Sequence, residues 1–359
     1  MAHGGTCGRS NESEQVDVYS RYSRLAGSTR VRLYDWLDYL RVMYREHSYV
    51  PAPTNSPDAL RAHWRDVVKS EAQLRWPSSN RRRVLMGRGV TPFGHGGPEE
   101  NILNRADWSV FDFDDAIYLP SSGSLGMLSR PDQKFMRCVT AADAVIAGND
   151  VLADHASSYS DNVVVIPSCV EPSQYVEKTT WDIAKTPRLI WIGSRSSERF
   201  LVDITASLWR VHQLTGAELI LLSSPATNVE LCEIGPMIRR VPWNERNFAK
   251  VLASADIAVA PLRDGPWERG KCAYKLLQYA ATGLPIAGSP IGANRAAMHA
   301  FGGVSVEGDD WAGALVALIN ASSSQRKAMG QRGVAGVKEQ YSFTRWGPVW
   351  RATLKLAGS

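Results

Sequence analysis

The chain has 359 residues, 44% apolar and 21% charged, and a formal net charge of +5. That length exceeds one ordinary hydrophobic core, so two domains are expected. No apolar run approaches the roughly 18 residues of a membrane span, and the dispersed charge excludes an extended nucleic-acid-coating face.

In chain order, residues 1–14 (MAHGGTCGRSNESE) are small and polar, without the apolar segment of a secretory signal, and read as a disordered tail. The five cysteines, Cys7, Cys138, Cys169, Cys232 and Cys272, are scattered and unpaired in spacing, which fits a reducing cytoplasm. Val16–Tyr19 reads as a strand, Leu25–Thr29 as a glycine-containing turn, and Arg30–Tyr44 as a helix with Leu33, Trp36, Leu37 and Leu40 on one face. Arg83–Met86, Ser109–Phe111, Ala144–Ile146 and Val163–Ile166 are the next strands. The cluster Arg81, Arg82 and Arg83 is either a solvated loop or a contact for anionic lipid or nucleic acid, the first being favoured because binding a polyanion needs a larger basic face.

A polar stretch, PSQYVEKTTWDIAKTP, then interrupts the pattern, and strand-like RLIWIG restarts it at Arg188. The expected organisation is an N-terminal domain over 15–180, a C-terminal domain over 185–340 and a final helix over 341–358. In the second half, Leu189–Ile192, Glu218–Leu222, Ile257–Ala260 and Ile286–Gly288 read as strands, with helices over Ser197–Leu214 and Tyr274–Ala281. Trp346, Trp350 and Leu354 recur every four residues in the last segment, as in a helix docked on an apolar groove. Strands alternating with helices predict an α/β protein of two doubly wound parallel sheets.

Ligands of such sheets bind beyond the carboxyl ends of the strands. Candidate positions there are Gly27, Ser28 and Arg30, the acidic run Asp112, Asp114 and Asp115, and the loop Gly193, Ser194, Arg195 and Arg199. The most informative is PLRDGPWERGKCAYKLLQYAATGLP, where Gly265, Glu268, Gly270 and Lys271 lead into a helix carrying Tyr274, Lys275 and Gln278. Glycines let a backbone approach a phosphate, a helix N-terminus offers N–H groups and partial positive charge, and lysines add full charges. His95, in FGHGG, is either a solvated turn residue or an acceptor ligand. The remaining histidines have no metal-site spacing.

The stretch DIAVAPLRDGPWERGKCAYKLLQYAATGLPIAGSPIGAN resembles the donor-site signature of bacterial family-4 glycosyltransferases, of GT-B architecture. RLIWIGSRSSERFL resembles the first strand and loop of that donor domain, and VPWN the loop beside the nucleobase. VFDFDDAIYL, ADAVIAGNDVLADHA and AGSTRVRLYDWLDYL resemble acceptor-domain segments of one subgroup, so the likeness spans residues 15–358. It implies two domains facing a cleft, with the C-terminal helix crossing back to the first. It also implies a retaining, metal-independent transferase that moves a sugar from a nucleoside-diphosphate sugar to a carbohydrate, lipid-linked or small-molecule acceptor.

In that reading Arg199, Lys271 and Lys275 neutralise the leaving diphosphate. Gly27, Ser28, Gly193, Ser194, Arg195, Trp243, Glu268, Gly270, Tyr274 and Gln278 bind the donor. Asp114 and Asp115 assist the chemistry, and His95, Asp112 and Arg30 meet the acceptor. No metal, other cofactor or nucleic acid is expected, and the location is cytoplasmic with peripheral contact at the inner membrane face as one option. One departure stands out: the family's pair of glutamates maps onto Gly270 and Gln278, neither of them acidic.

Other readings stay open. Asp112-Phe113-Asp114 matches the short metal-binding pattern of the GT-A architecture, or the carboxylates only cap the following helix. A GT-B-like epimerase or phosphorylase would share the fold, and a non-catalytic nucleotide-sugar-binding protein would share the donor site.

Overall fold

The computed structural model describes residues 15–76, 82–120 and 130–356. The expected tail 1–14 with Cys7, Arg81, and the end of the expected last helix at 357–358 lie outside them. The chain divides into two units: Met1–Ile166 with Gly347–Ser359, and Pro167–Trp346.

The first unit runs β1 (Val16–Tyr22), α1 (Gly27–Thr29), α2 (Asp35–Tyr39), β2 (Tyr44–Val50), α3 (Pro57–Ala62), α4 (Trp64–Arg75), β3 (Arg83–Gly87) and α5 (Gly97–Arg105). It continues through β4 (Trp108–Phe113), α6 (Pro131–Ala141), β5 (Ala144–Ala147), α7 (Asp150–Ala156) and β6 (Val163–Val165). All strands are parallel in the order β2-β1-β3-β4-β5-β6, so the order reverses between β1 and β3. Central strands buried on both faces read as continuous apolar runs, as in β5, AVIA. β2 was not legible: YREHSYV is an edge strand whose first half is exposed, so it lacks that signature. The helix expected to reach Tyr44 instead stops at Tyr39, and Arg41 turns the chain through a left-handed conformation, φ 56°.

The second unit runs β7 (Arg188–Ile192), α8 (Arg199–Val202), α9 (Thr205–Thr215), β8 (Glu218–Ser223), β9 (Ile238–Pro242), α10 (Phe248–Ser254), β10 (Ile257–Ala260) and α11 (Pro266–Arg269). After these come α12 (Tyr274–Thr282), β11 (Ile286–Gly288), α13 (Ala293–Phe301), β12 (Val304–Ser305), α14 (Trp311–Asn320) and α15 (Ser323–Gln340). The parallel order β12-β11-β10-β7-β8-β9 reverses between β10 and β7. Side chains alternate across the sheet: Ile190 and Ile192 pack under α10, α12 and α13, while Leu189 and Trp191 pack under α9 and α14.

The polar stretch expected as a connection belongs to the second unit. Lys178 Nζ donates to the carbonyls of Ala253 and Ala255, and Trp181 Nε1 to that of Gly283. Lys178 and Trp181 thus tie the stretch to buried carbonyls, while most of its other polar residues face solvent. The helix expected over Ser197–Leu214 is broken into a 3-10 turn, α8 and α9.

The last helix, α16 (Phe343–Thr353), ends in the first unit, where the fully buried rings of Trp350 and Trp36 lie 5.3 Å apart. Trp108 Nε1 donates to Thr353 O and Arg351 to Leu40 O, so hydrogen bonds reinforce the apolar contact.

Candidate functional site

In the second unit the loops after β7 and β10 leave the sheet where the strand order reverses, the position where open α/β sheets bind ligands. Lys275, on the first turn of α12, reaches across the strand ends and sets its Nζ 4.7 Å from the centre of the Trp191 ring. Gly193 makes this possible, because a Cβ there would lie 2.5 Å from Trp191 Cη2 and 2.7 Å from Lys275 Cε. α12 begins without a side-chain cap or an acidic residue in its first turn, so its positive end is unopposed by a carboxylate of its own. Ala273 enters the helix in a left-handed conformation, φ 55°, which costs a non-glycine residue about 1 kcal/mol.

The same geometry joins both loops. Arg199 Nη2 lies 2.9 Å from Glu268 Oε1, and Glu268 folds back so closely that a Cβ on Gly265 would be 2.6 Å from its Oε2. Gly292, φ 54°, lies against the carbonyl of Arg269, where a Cβ would approach to 2.4 Å. The loop is therefore fixed at both ends of α11. Trp243, after β9, is 43% exposed and stacks on Phe248 with ring centres 6.1 Å apart. Gln278 is 7% exposed, one turn deeper in α12 than Lys275. Gly270, Lys271 and Tyr274 lie on the segment from the end of α11 to the first residue of α12.

Arg195 is placed differently from Arg199. It donates to Glu198 Oε2 at 3.1 Å and to Thr227 O at 2.8 Å, and so serves the loop. Glu198 is fully buried and also takes bonds from Ser223 Oγ and from both terminal nitrogens of Arg240. Burial raises its carboxyl, but the bonds from Arg240 and Ser223 outweigh that and hold it below the usual carboxylate range. Neither Glu198 nor Arg240 was singled out from sequence; the only signal was a glutamate beside Arg199 in an otherwise small polar loop. A pocket of about 460 Å³ opens on the α9 and α14 side of the strand ends, lined by Phe200, Ile204, Arg263, Ser289 and Trp311 among others and by the start of the loop after β10.

In the first unit, the acidic run after β4 is divided. Asp112 is fully buried, with Arg32 Nη2 at 2.5 Å and Arg32 Nε at 3.2 Å. This corrects its expected place at an acceptor: its oxygens point into the unit. Asp114 and Asp115 are both held by Arg88, at 2.5 and 2.7 Å. Asp112 and Asp114 thus face guanidiniums, an arrangement that does not suit a cation, and no three His, Cys, Asp or Glu side chains among the described residues converge as a metal site.

Arg30 lies 3.8 Å from Asp35, and Gly27 faces open space. Exposed His95 sits between Gly94 and Gly96 in the loop after β3. That loop is anchored by two residues the sequence reading passed over. Buried Glu99 Oε1 accepts from Thr91 N and Oγ1, and Lys134 Nζ donates to the carbonyls of Thr91 and Phe93. Burial lowers the Lys134 ammonium from its ordinary value.

Residues 186–322 match the family described as glycosyl transferases group 1. The chain is a glycosyltransferase. Its two-sheet GT-B fold is similar to that of sucrose-phosphate synthase from Thermosynechococcus elongatus, at 11% identity and TM-score 0.66, covering 96% of this chain and 100% of that one. WaaG, a glycosyltransferase involved in lipopolysaccharide biosynthesis, is similar at 11% identity and TM-score 0.63, covering 96% and 100%. An α,α-trehalose-phosphate synthase (UDP-forming) from Burkholderia vietnamiensis is similar at 12% identity and TM-score 0.59, covering 96% and 97%. No curated protein matches the chain. Among the described residues, no helix is long and apolar enough to cross a membrane.

Proposed function

We propose that this glycosyltransferase uses a nucleoside-diphosphate sugar, held on the second unit, and transfers the sugar with retention to a hydroxyl of a carbohydrate, lipid-linked or small-molecule acceptor. The observation that carries this reading is the gathering of Lys275, Arg199 and the α12 N-terminus at the β7 and β10 strand ends. A departing diphosphate gains charge as the glycosidic bond breaks, and fixed donors lower that barrier without reorganising. Lys275, Arg199 and Lys271 supply the charge that a divalent cation would otherwise supply, so the reaction proceeds without a metal.

Trp243, beside Phe248, offers a flat face for the nucleobase, with Gly193 and Ser194 close to the phosphates. The Gln278 side-chain oxygen accepts from a ribose hydroxyl in place of the family's glutamate. In the first unit, Arg30 in the helical segment after β1, His95 in the loop after β3, and Asp114 and Asp115 after β4 contact the acceptor. Retention follows from attack on the face the diphosphate leaves, with the diphosphate guiding the acceptor proton, so no protein nucleophile is required.

A panel of uridine, guanosine, adenosine and thymidine diphosphate sugars tests the reading, with melting temperature and diphosphate release as readouts. One sugar should raise the melting temperature and release diphosphate only with acceptor present. Turnover with donor alone indicates an epimerase, dependence on free phosphate a phosphorylase, and binding without turnover a sensor. Activity lost to a chelator and restored by manganese would reject the metal-free mechanism.

A further inference from the structure

Of the basic cluster singled out from sequence, Arg81 lies outside the described residues, Arg82 Nη1 donates to Gln15 Oε1, and Arg83 begins β3. A different surface of the first unit combines charge with apolar exposure. α4 docks on the edge strand β2 through one side only. Glu71 accepts from Tyr49 Oη, Ser70 Oγ donates to Ser48 O, and Leu74 is buried.

On the opposite side Arg65, Lys69, Ala72 and Trp76 recur at intervals of three to four and are all exposed. Trp64 and Val68 flank them, 58% and 59% exposed, and Trp76 is 77% exposed. Arg61, near the end of α3 and before the turn at His63, is exposed as well. Arg61, Arg65 and Lys69 form no ion pair with any described residue, and the Arg65 guanidinium lies over the Trp64 ring at 5.4 Å. Exposing two indoles and a valine to water is unfavourable without a partner, since isolated monomers cover patches of this kind.

We propose that the outward face of α4 lies flat on an anionic lipid surface. Tryptophans with an apolar body and a polar N–H, interleaved with lysine and arginine on a helix parallel to the surface, match the headgroup boundary of a bilayer. A protein partner fits less well, because lysine is depleted and acidic complements would be needed in a buried interface core. The three cations meet anionic headgroups while the indoles and Val68 enter the acyl boundary. This contact is independent of the donor chemistry proposed above, and so is its test.

Co-sedimentation with phosphatidylcholine vesicles, with and without phosphatidylglycerol, reads the contact in the absence of any sugar substrate. The wild-type chain should sediment with the mixed vesicles, weakly with neutral ones, and less as salt rises. Arg61→Glu/Arg65→Glu/Lys69→Glu should lower partitioning at least about tenfold. Trp64→Ser/Trp76→Ser should lower it as well, and both should melt like the wild type. Lys185→Glu/Arg210→Glu/Lys327→Glu, exposed cations of the second unit, should leave it unchanged. Equal binding by the α4 variants and the wild type would overturn the proposal. So would an equal loss in the second-unit variant, or a dimer that the tryptophan variant dissociates in a chain that ignores vesicles.

Discussion

Arg199 and Glu268 are 69 residues apart in sequence and 2.9 Å apart in space, joining the loop after β7 to the loop after β10. The pair is half exposed on the arginine side, so it adds under about 1 kcal/mol to stability, and its consequence is positional. Glu268 holds Arg199 beside the strand ends, and in the proposed function the donor diphosphate competes for it. Glu268→Ala should lower donor kcat/KM about tenfold, and Arg199→Ala more, with little change in melting. In a double-mutant cycle the two effects should be less than additive; strict additivity would separate the residues.

Lys275→Ala should reduce turnover at least about a hundredfold, the usual cost of one lost donor to a developing anion. The melting temperature should hardly change. Near-normal turnover with saturating donor would remove Lys275 from the charge-neutralising set.

Gly193→Ala tests the crossing itself. The new Cβ would strike Trp191 and the stem of Lys275, forcing one to move. Such overpacking costs about 1–3 kcal/mol. Urea unfolding should report the loss, and single-turnover kinetics should report a displaced Lys275; a variant as stable and active as the wild type would contradict the geometry.

Trp350→Ala should destabilise the first unit by about 3–5 kcal/mol, because a fully buried indole leaves a cavity against Trp36. Deleting residues from Gly347 onward should act in the same direction. Calorimetry can show whether one transition moves while the other stays.

Glu198 supplies the pH dependence. Its folded carboxyl sits below the ordinary value of 4.5, so its stabilising bonds are fully present above about that pH. They are lost as pH falls through the lower folded value. Glu198→Gln should therefore unfold more easily at neutral pH, and its acid limb below about pH 4.5 should be flatter than that of the wild type. Parallel acid limbs would assign the sensitivity elsewhere.

Much of the architecture was legible because its signals are local. Runs such as AVIA at β5 and IAVA at β10 announce strands covered on both faces, and the four-residue spacing of Trp346, Trp350 and Leu354 announces the last helix. β2 escaped because an edge strand need not be apolar. The break of the helix after Gly193 escaped because α8 and α9 share one apolar stripe across a turn.

The sequence by itself determined the two parallel sheets and their alternation with helices, since periodicity is a property of neighbouring residues; its glycine spacing also singled out the loop Pro261–Pro285 for the anion chemistry proposed above. Only the tertiary structure decided that Asp112 faces Arg32 inside the first unit and that Glu198 accepts from Arg240. It alone showed that Lys275 crosses Gly193 to reach Trp191. Charge pairing and burial depend on which distant strand ends meet, and that is set by sheet order rather than by any local run of residues.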